Sequence, residues 1–279
     1  MLPQPDRRSA RLNLRWMISL GLLILASVPL PACPASPPLS PGVFLEDLTW
    51  TELRSEIASG KTTVLIPIGG TEQSGPGLAL GKHNARVKAL SGRIAQELGN
   101  AIVAPVIAYV PEGSVSPPTS HMRFPGTITV TDEVFSKTLE YAARSMKQAG
   151  FHYIVFLGDH GGYQQLESAV AAKLSREWSG SPVRVIALEE YYRASTDGFA
   201  AILKSRGFST GEIGKHAGLS DTSLQLAVAP NMVRADRLVS NRDGVEGDPR
   251  RASVDLGQLG VNEIVSASVA AIRKYTSHP

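Results

Sequence analysis

Apolar and polar positions fall along this chain in blocks of two kinds. Short continuous apolar runs, rich in β-branched residues, occupy Thr63–Ile68, Ala101–Val110, Tyr153–Leu157 and Val183–Leu188. Runs of that length without polar alternation are expected of strands buried on both faces. Between them lie longer stretches with apolar positions at helical spacing: 45–59, 85–98, 131–149, 164–178 and, near the end, 262–275. Thr49 is placed to cap the first of these, and Gly60 and Gly150 to stop the first and third. Residues 191–211 are mixed with some helical character, and 222–229 form a short apolar segment. Strands alternating with amphipathic helices predict right-handed βαβ units, hence an α/β fold with a mainly parallel sheet covered on both faces. In such folds ligands bind beyond the carboxyl ends of the strands. That rule selects the loops after Ile68, Val110, Leu157 and Leu188.

The N-terminus departs from this pattern. Arg7, Arg8, Arg11 and Arg15 precede an apolar run from Trp16 to Val28, followed by Pro29-Leu30-Pro31-Ala32-Cys33. A basic start, a short apolar core and a small residue before the break predict an export signal. The run falls short of the ~20 residues that span a bilayer. Its end resembles a bacterial lipobox, which implies lipidation of Cys33 and an exported, periplasmic lipoprotein held at the membrane; plain secretion is the alternative. The organisation expected is a signal over 1–33, a Pro/Ser-rich tether over 34–44 and one domain over 45–279. Cys33 is the only cysteine, so the domain is expected to be stable without an internal disulfide.

The signal also changes the reading of the charge. The whole chain carries +3 at pH 7, and residues 1–32, with four arginines and one aspartate, account for all of it. From Cys33 onward acids and bases balance. No basic patch points to nucleic acid.

Candidate chemistry concentrates in the selected loops. Glu72 follows a buried strand closely, where a carboxylate is costly unless paired or bound to a cation. His83 opens the next helix, and Asp159 and His160 sit in Gly158-Asp159-His160-Gly161-Gly162 after the third strand, among glycines that admit close backbone approach. Lys215–Ser223 adds His216 and Asp221. Carboxylates and imidazoles converging from several strand ends suit Zn²⁺, Mn²⁺ or Fe²⁺. His121, His152 and His278 are read as caps or hydrogen-bonded surface groups. Gly207-Phe208-Ser209-Thr210-Gly211 has the spacing of a serine-hydrolase elbow but follows a helical stretch instead of a buried strand. Gly60-Lys61-Thr62 has a P-loop ending but precedes its strand.

Several of these stretches resemble the creatininase (creatinine amidohydrolase) family. They are Ile66–Pro76, Phe124-Pro125-Gly126-Thr127-Ile128, Asp159-His160-Gly161-Gly162, His216-Ala217-Gly218 with Asp221-Thr222-Ser223, and Gly244–Pro249. They run in the family's order over about residues 45–275. The resemblance implies a three-layer α/β/α sandwich, assembly into a homo-oligomer, and a metal centre that activates water against cyclic amides or other C–N bonds of a small-molecule substrate. Glu72 and His160 match ligand positions unchanged. Ser74 replaces the family's second-metal histidine and His83 its bridging aspartate. Asp221 stands for a glutamate, Gly77 for a histidine and Tyr163 for an asparagine.

Losing a bridging carboxylate and a histidine together argues for one divalent ion, Zn²⁺ or Mn²⁺ ahead of Fe²⁺, held by Glu72, His83 and His160. His216 or Asp221 is then expected to move the proton, with Gly161 and Gly162 stabilising an oxyanion and Asp159 orienting a ligand histidine. Two other functions fit the same residues: a non-catalytic periplasmic binding lipoprotein, and a sugar or cyclitol lactone hydrolase.

Overall fold

The computed structural model describes residues 42–277. The expected signal, Cys33 and His278 lie outside the described residues. The helices are α1 (Trp50–Ala58), α2 (Lys82–Leu98), α3 (Asp132–Ala149), α4 (Gln164–Glu177), α5 (Glu189–Arg193), α6 (Phe199–Ser205), α7 (Thr210–Ile213), α8 (Leu219–Val228) and α9 (Val254–Thr276). The strands are β1 (Thr63–Ile68), β2 (Ala101–Val103), β3 (Tyr153–Gly158) and β4 (Arg184–Ala187).

The four strands form one parallel sheet in the order β2-β1-β3-β4. β1 pairs with β3 from Thr63↔Tyr153 to Ile68↔Gly158. From β1 the chain passes outward to β2 and then returns to β1's other edge as β3. The connections therefore diverge between β1 and β3, which opens a crevice beyond their carboxyl ends.

Every residue of β1 is buried, because its two faces feed two cores. Val64, Ile66 and Ile68, with Ile154 and Phe156 of β3, pack against Phe135 and Leu139 of α3 and Val170 and Leu174 of α4. Leu65, Val155 and Leu157 face Val87, Leu90 and Ile94 of α2 and Val261 and Ile264 of α9. Each such side chain contributes roughly 1.5–3 kcal/mol on leaving water. The result is the expected three-layer α/β/α sandwich.

Element ends follow local chemistry. Thr49 accepts from Glu52 N–H in a capping box at α1, and Gly150 ends α3 at φ +108°. Gly257 of α9 has no room for a side chain: a Cβ there would lie 1.8 Å from the Ser223 carbonyl oxygen. That close crossing fixes α8, and with it Asp221, against the body of the domain.

Four elements differ from expectation. The strand expected over 101–110 stops at Val103, shortly before Pro105, which has no N–H to give a ladder. The chain continues through isolated bridges, Ile68↔Ile107 and Val110↔Thr129. α2 begins at Lys82 instead of Ala85, so Lys82, His83 and Arg86 fall in one buried first turn. The 222–229 segment is the body of α8, and the last helix starts at Val254, capped by Ser253.

Candidate metal centre

The crevice is built by three loops and the start of α2. After β1 the chain turns back over α2, with Gly69 pressed on Asn84: a Cβ there would meet Asn84 Oδ1 at 2.1 Å. Asn84 Oδ1 in turn accepts from Gly70 N–H at 3.0 Å. This turn carries Glu72 into the interior with 0 % exposure. Tyr163, at the family's asparagine position, braces the strand ends; its hydroxyl donates to the carbonyls of Ile68 (2.9 Å) and Gly69 (2.6 Å) and accepts from His160 N–H.

Glu72 is the hub. Its Oε1 lies 2.8 Å from His83 Nε2 and 3.6 Å from both Lys82 Nζ and His216 Nδ1. Its Oε2 lies 3.1 Å from His121 Nε2 and 3.6 Å from His160 Nε2. His160 Nε2 is also 4.0 Å from Glu112 Oε2. Ligand atoms of Glu72, Glu112, His121 and His160 all lie within 4.8 Å of one another.

The electrostatics of this set are unbalanced. Burial alone would raise the Glu72 carboxyl, but the His83 hydrogen bond and the neighbouring positive groups outweigh it and hold it far below the usual carboxylate range. Glu112 moves the other way: burial and then the Glu72 charge push it up to about 9. His160 is lowered to about 4, first by burial, and His216 to about 3 by burial and then Lys82. Burial lowers His121 as well. Glu72 Oε2 and both Glu112 oxygens are buried without a hydrogen-bond partner. Two adjacent buried carboxyl groups facing imidazoles either share a proton, as the raised Glu112 shows for the metal-free site, or bind a cation. Two carboxylates and two imidazoles are a donor set that fits Zn²⁺ or Mn²⁺.

The structure brings most of the expected residues together, in an arrangement that differs from the expected one. Glu72 and His160 belong to the four-group set. His83, expected as the third ligand, stands outside it, with both ring nitrogens facing carboxylates: Nε2 toward Glu72 and Nδ1 2.6 Å from Asp159 Oδ2. Asp159 also receives Arg86 Nε and the Tyr191 hydroxyl.

Asp221, expected as a proton carrier, is held in buried ion pairs. Lys82 Nζ (2.8 Å), Arg86 Nη1 (2.7 Å) and Ala217 N–H (2.8 Å) all point at it. Despite the cost of burial, Lys82 and Arg86 hold it well below the ordinary aspartate range, so it stays a carboxylate. His216 keeps a free face. Its Nε2–H donates to the Gln73 carbonyl at 2.9 Å, leaving Nδ1 toward Glu72. The Gly244–Pro249 stretch supports it from behind, where Glu246 N–H donates to the His216 carbonyl. The oxyanion role expected of Gly162 does not fit, because its N–H donates to His160 Nδ1. Gly161 is small for another reason: a Cβ would meet the Tyr192 hydroxyl at 2.5 Å.

Two members escaped the sequence reading. His121, read as a surface group, is brought in by a 3₁₀ turn over Ser120–Arg123, and its Nδ1 accepts from Gln73 Nε2 at 3.0 Å. No periodicity marks that loop. Glu112 did carry a signal, the one that picked Glu72: an acid just past a buried apolar run. A cavity of about 380 Å³ reaches the centre, lined among others by Lys82, His83, His160, Tyr192, His216 and Asp221.

Comparison with known proteins agrees with this geometry. The family model described as creatininase, creatinine amidohydrolase, matches residues 46–272. The chain is similar to a creatinine amidohydrolase of Pseudomonas putida, 26% identical over 208 residues (73% of this chain, 78% of the relative). It is also similar to a mycofactocin precursor peptide peptidase of Mycolicibacterium smegmatis, 25% identical over 252 residues (81% and 90%). A solved manganese form of creatininase superposes with a TM-score of 0.72 at 23% identity, covering 84% of this chain and 99% of that one. The match runs from just before α1 almost to the end of α9, across every loop of the crevice, and the chain belongs to the creatininase family as an enzyme of the creatininase type.

Proposed function

We propose that this enzyme is a hydrolase that opens a cyclic amide or a related C–N bond with one divalent ion, Zn²⁺ or Mn²⁺, held by Glu72, Glu112, His121 and His160. One observation carries the reading: two adjacent buried carboxylates whose outward oxygens have no partner except the facing imidazoles. Two family relatives support the bond class, since one is named for creatinine and the other for a peptide, both of which contain C–N bonds to a carbonyl-type carbon.

When bound, the ion supplies Lewis-acid polarisation and acidifies water. The chain supplies the rest. Glu72 and Glu112 would supply the negative charge that holds the ion. His216, tied through Nε2–H to Gln73, keeps Nδ1 turned toward Glu72 as a hydrogen-bond acceptor beside the centre. Asp159 and Arg86 hold His83, and Tyr163 holds the backbone of both strand ends, so the groups are positioned before substrate arrives. Tyr192, over Gly161, narrows the approach and restricts water.

The N-terminal pattern supports a further part of the reading, that the enzyme is exported and held at the membrane through a lipid on Cys33, with the Pro/Ser-rich segment as a tether.

The test is an assay of the full chain, purified without chelator and then either depleted of metal or loaded with Mn²⁺. Cyclic ureas and lactams, short peptides and sugar lactones are the panel. Ring opening of a cyclic amide, lost on depletion and restored on loading, is expected. Turnover of lactones alone, or turnover indifferent to metal, overturns the reading.

A further inference from the structure

Lys82 has no task in the scheme above, yet it is fully buried. Its Nζ lies 2.8 Å from Asp221 Oδ2 and 3.6 Å from Glu72 Oε1. A buried ammonium is expensive to hold unless it is paired, and an apolar side chain of similar volume is often the more stable choice. Its place in the first turn of α2, one residue before His83, sets it at the edge of the metal centre, away from any surface.

The charges of the crevice explain it. Four carboxylates converge there: Glu72, Glu112, Asp159 and Asp221. Two fixed cations oppose them, Lys82 and Arg86, the latter paired with both Asp159 and Asp221. Once an incoming ion displaces the Glu112 proton, these carboxylates outnumber the two cations by two, an excess that one divalent ion cancels and two would overshoot. The oxygens a second ion would have to share, Glu72 Oε1 and those of Asp221, are the ones that already face the ammonium and the guanidinium. The nearby Ser74 is buried with an unpartnered hydroxyl and brings no charge of its own.

We propose that Lys82 is a built-in cation of the centre: its ammonium holds the position between Glu72 and Asp221 and limits the chain to a single divalent ion. This rests on the metal-centre reading of the site. Lys82 is a positioning residue here, setting the charge that Glu72 meets on its Oε1 side.

The experiment counts ions. The full chain is saturated with Zn²⁺ or, separately, Mn²⁺, freed of excess, and analysed by mass spectrometry for metal per chain. The natural chain and Lys82→Arg, which keeps the charge, are expected to hold one ion. Lys82→Ala and Lys82→Gln, the second retaining a hydrogen-bond donor to Asp221, are expected to hold two. Removing the carboxylate as well, in Lys82→Gln with Asp221→Asn, returns the count to one. Two ions with Lys82 in place, or one ion in both neutral single variants, overturns the role of Lys82 alone. No ion in the natural chain overturns the metal centre itself.

Discussion

His121 Nε2 sits 3.1 Å from Glu72 Oε2, although the two residues reach the crevice on separate loops, one behind β1 and one beyond β2. The Gln73 side chain, donating to His121 Nδ1, ties those loops together, alongside Gln73 N–H to Thr127 Oγ1 and Ile128 N–H to the Thr71 carbonyl. If His121 is a ligand, His121→Ala lowers divalent-ion affinity by at least about 10-fold, the lower end of what even outer-sphere partners cost. Isothermal titration with Mn²⁺ reads this directly. An unchanged affinity returns His121 to the surface-group reading.

Glu112 makes metal uptake and metal-free stability depend on pH. In the folded, metal-free chain its carboxyl is raised to about 9, from an ordinary 4.5. Between those values the folded state holds a proton that the unfolded state has lost, so this residue's contribution to stability falls as pH rises through the window. The Glu112→Gln variant removes it. The stability of the natural chain relative to Glu112→Gln, by urea titration after metal depletion, should decline from pH 5 to pH 8. Ion binding near pH 7 should also release about one proton, visible as a buffer-dependent heat.

His160 and His216 act in the opposite direction on the acid side. Burial lowers them to about 4 and about 3, so below their ordinary 6.5 the unfolded chain binds more protons than the folded one. Their contribution is full above 6.5 and is lost as pH falls toward 4 and 3. His216→Gln should flatten the acid limb of the stability profile. An acid limb of the same slope in that variant contradicts the burial of a neutral imidazole.

Arg86 is 3 % exposed and paired with two carboxylates. Arg86→Met leaves Asp159 without its guanidinium partner and Asp221 with Lys82 alone. Breaking a buried pair on one side costs about 3–5 kcal/mol, which for a domain of this size lowers Tm by about 6–20 °C. Differential scanning calorimetry checks it. A loss confined to activity, with Tm unchanged, would show that the cluster does not support the fold.

If Cys33 carries the anchor, Cys33→Ser moves the protein from the membrane fraction to the soluble fraction without altering its hydrolytic activity. Cell fractionation with an antibody to the domain reads the outcome, and an unchanged distribution removes the anchor.

Strand-sized apolar runs and their glycine-bearing loops made the sheet and the location of the crevice legible in the sequence, because burial on both faces leaves no polar residue to confuse the period. Glu72, His160 and His216 were legible for the same reason: they lie close to, or motif-bound to, those loops. What pairing does to a side chain was not legible. Asp221 was expected to carry protons, but two cations from the first turn of α2 converge on it, and nothing in the Ser220-Asp221-Thr222 stretch announces them. Glu112 carried the same signal as Glu72, an acid just past an apolar run, but no motif set it apart. His121 sits in a Pro/Ser-rich loop with no period to read, so only three-dimensional closure places it.

The hydrogen bonds that Gln73 accepts from His216 and donates to Gly244 join parts of the chain separated by 143 and 171 residues. The centre is therefore assembled late. A nascent chain that has emerged only as far as α4 already presents Glu72, Glu112, His121 and His160, but His216 and the segment that braces it are still to come. Metal taken up at that stage would sit in a half-walled pocket open to competing ligands. Retention of the ion, more than its first capture, is thus a property of the finished molecule.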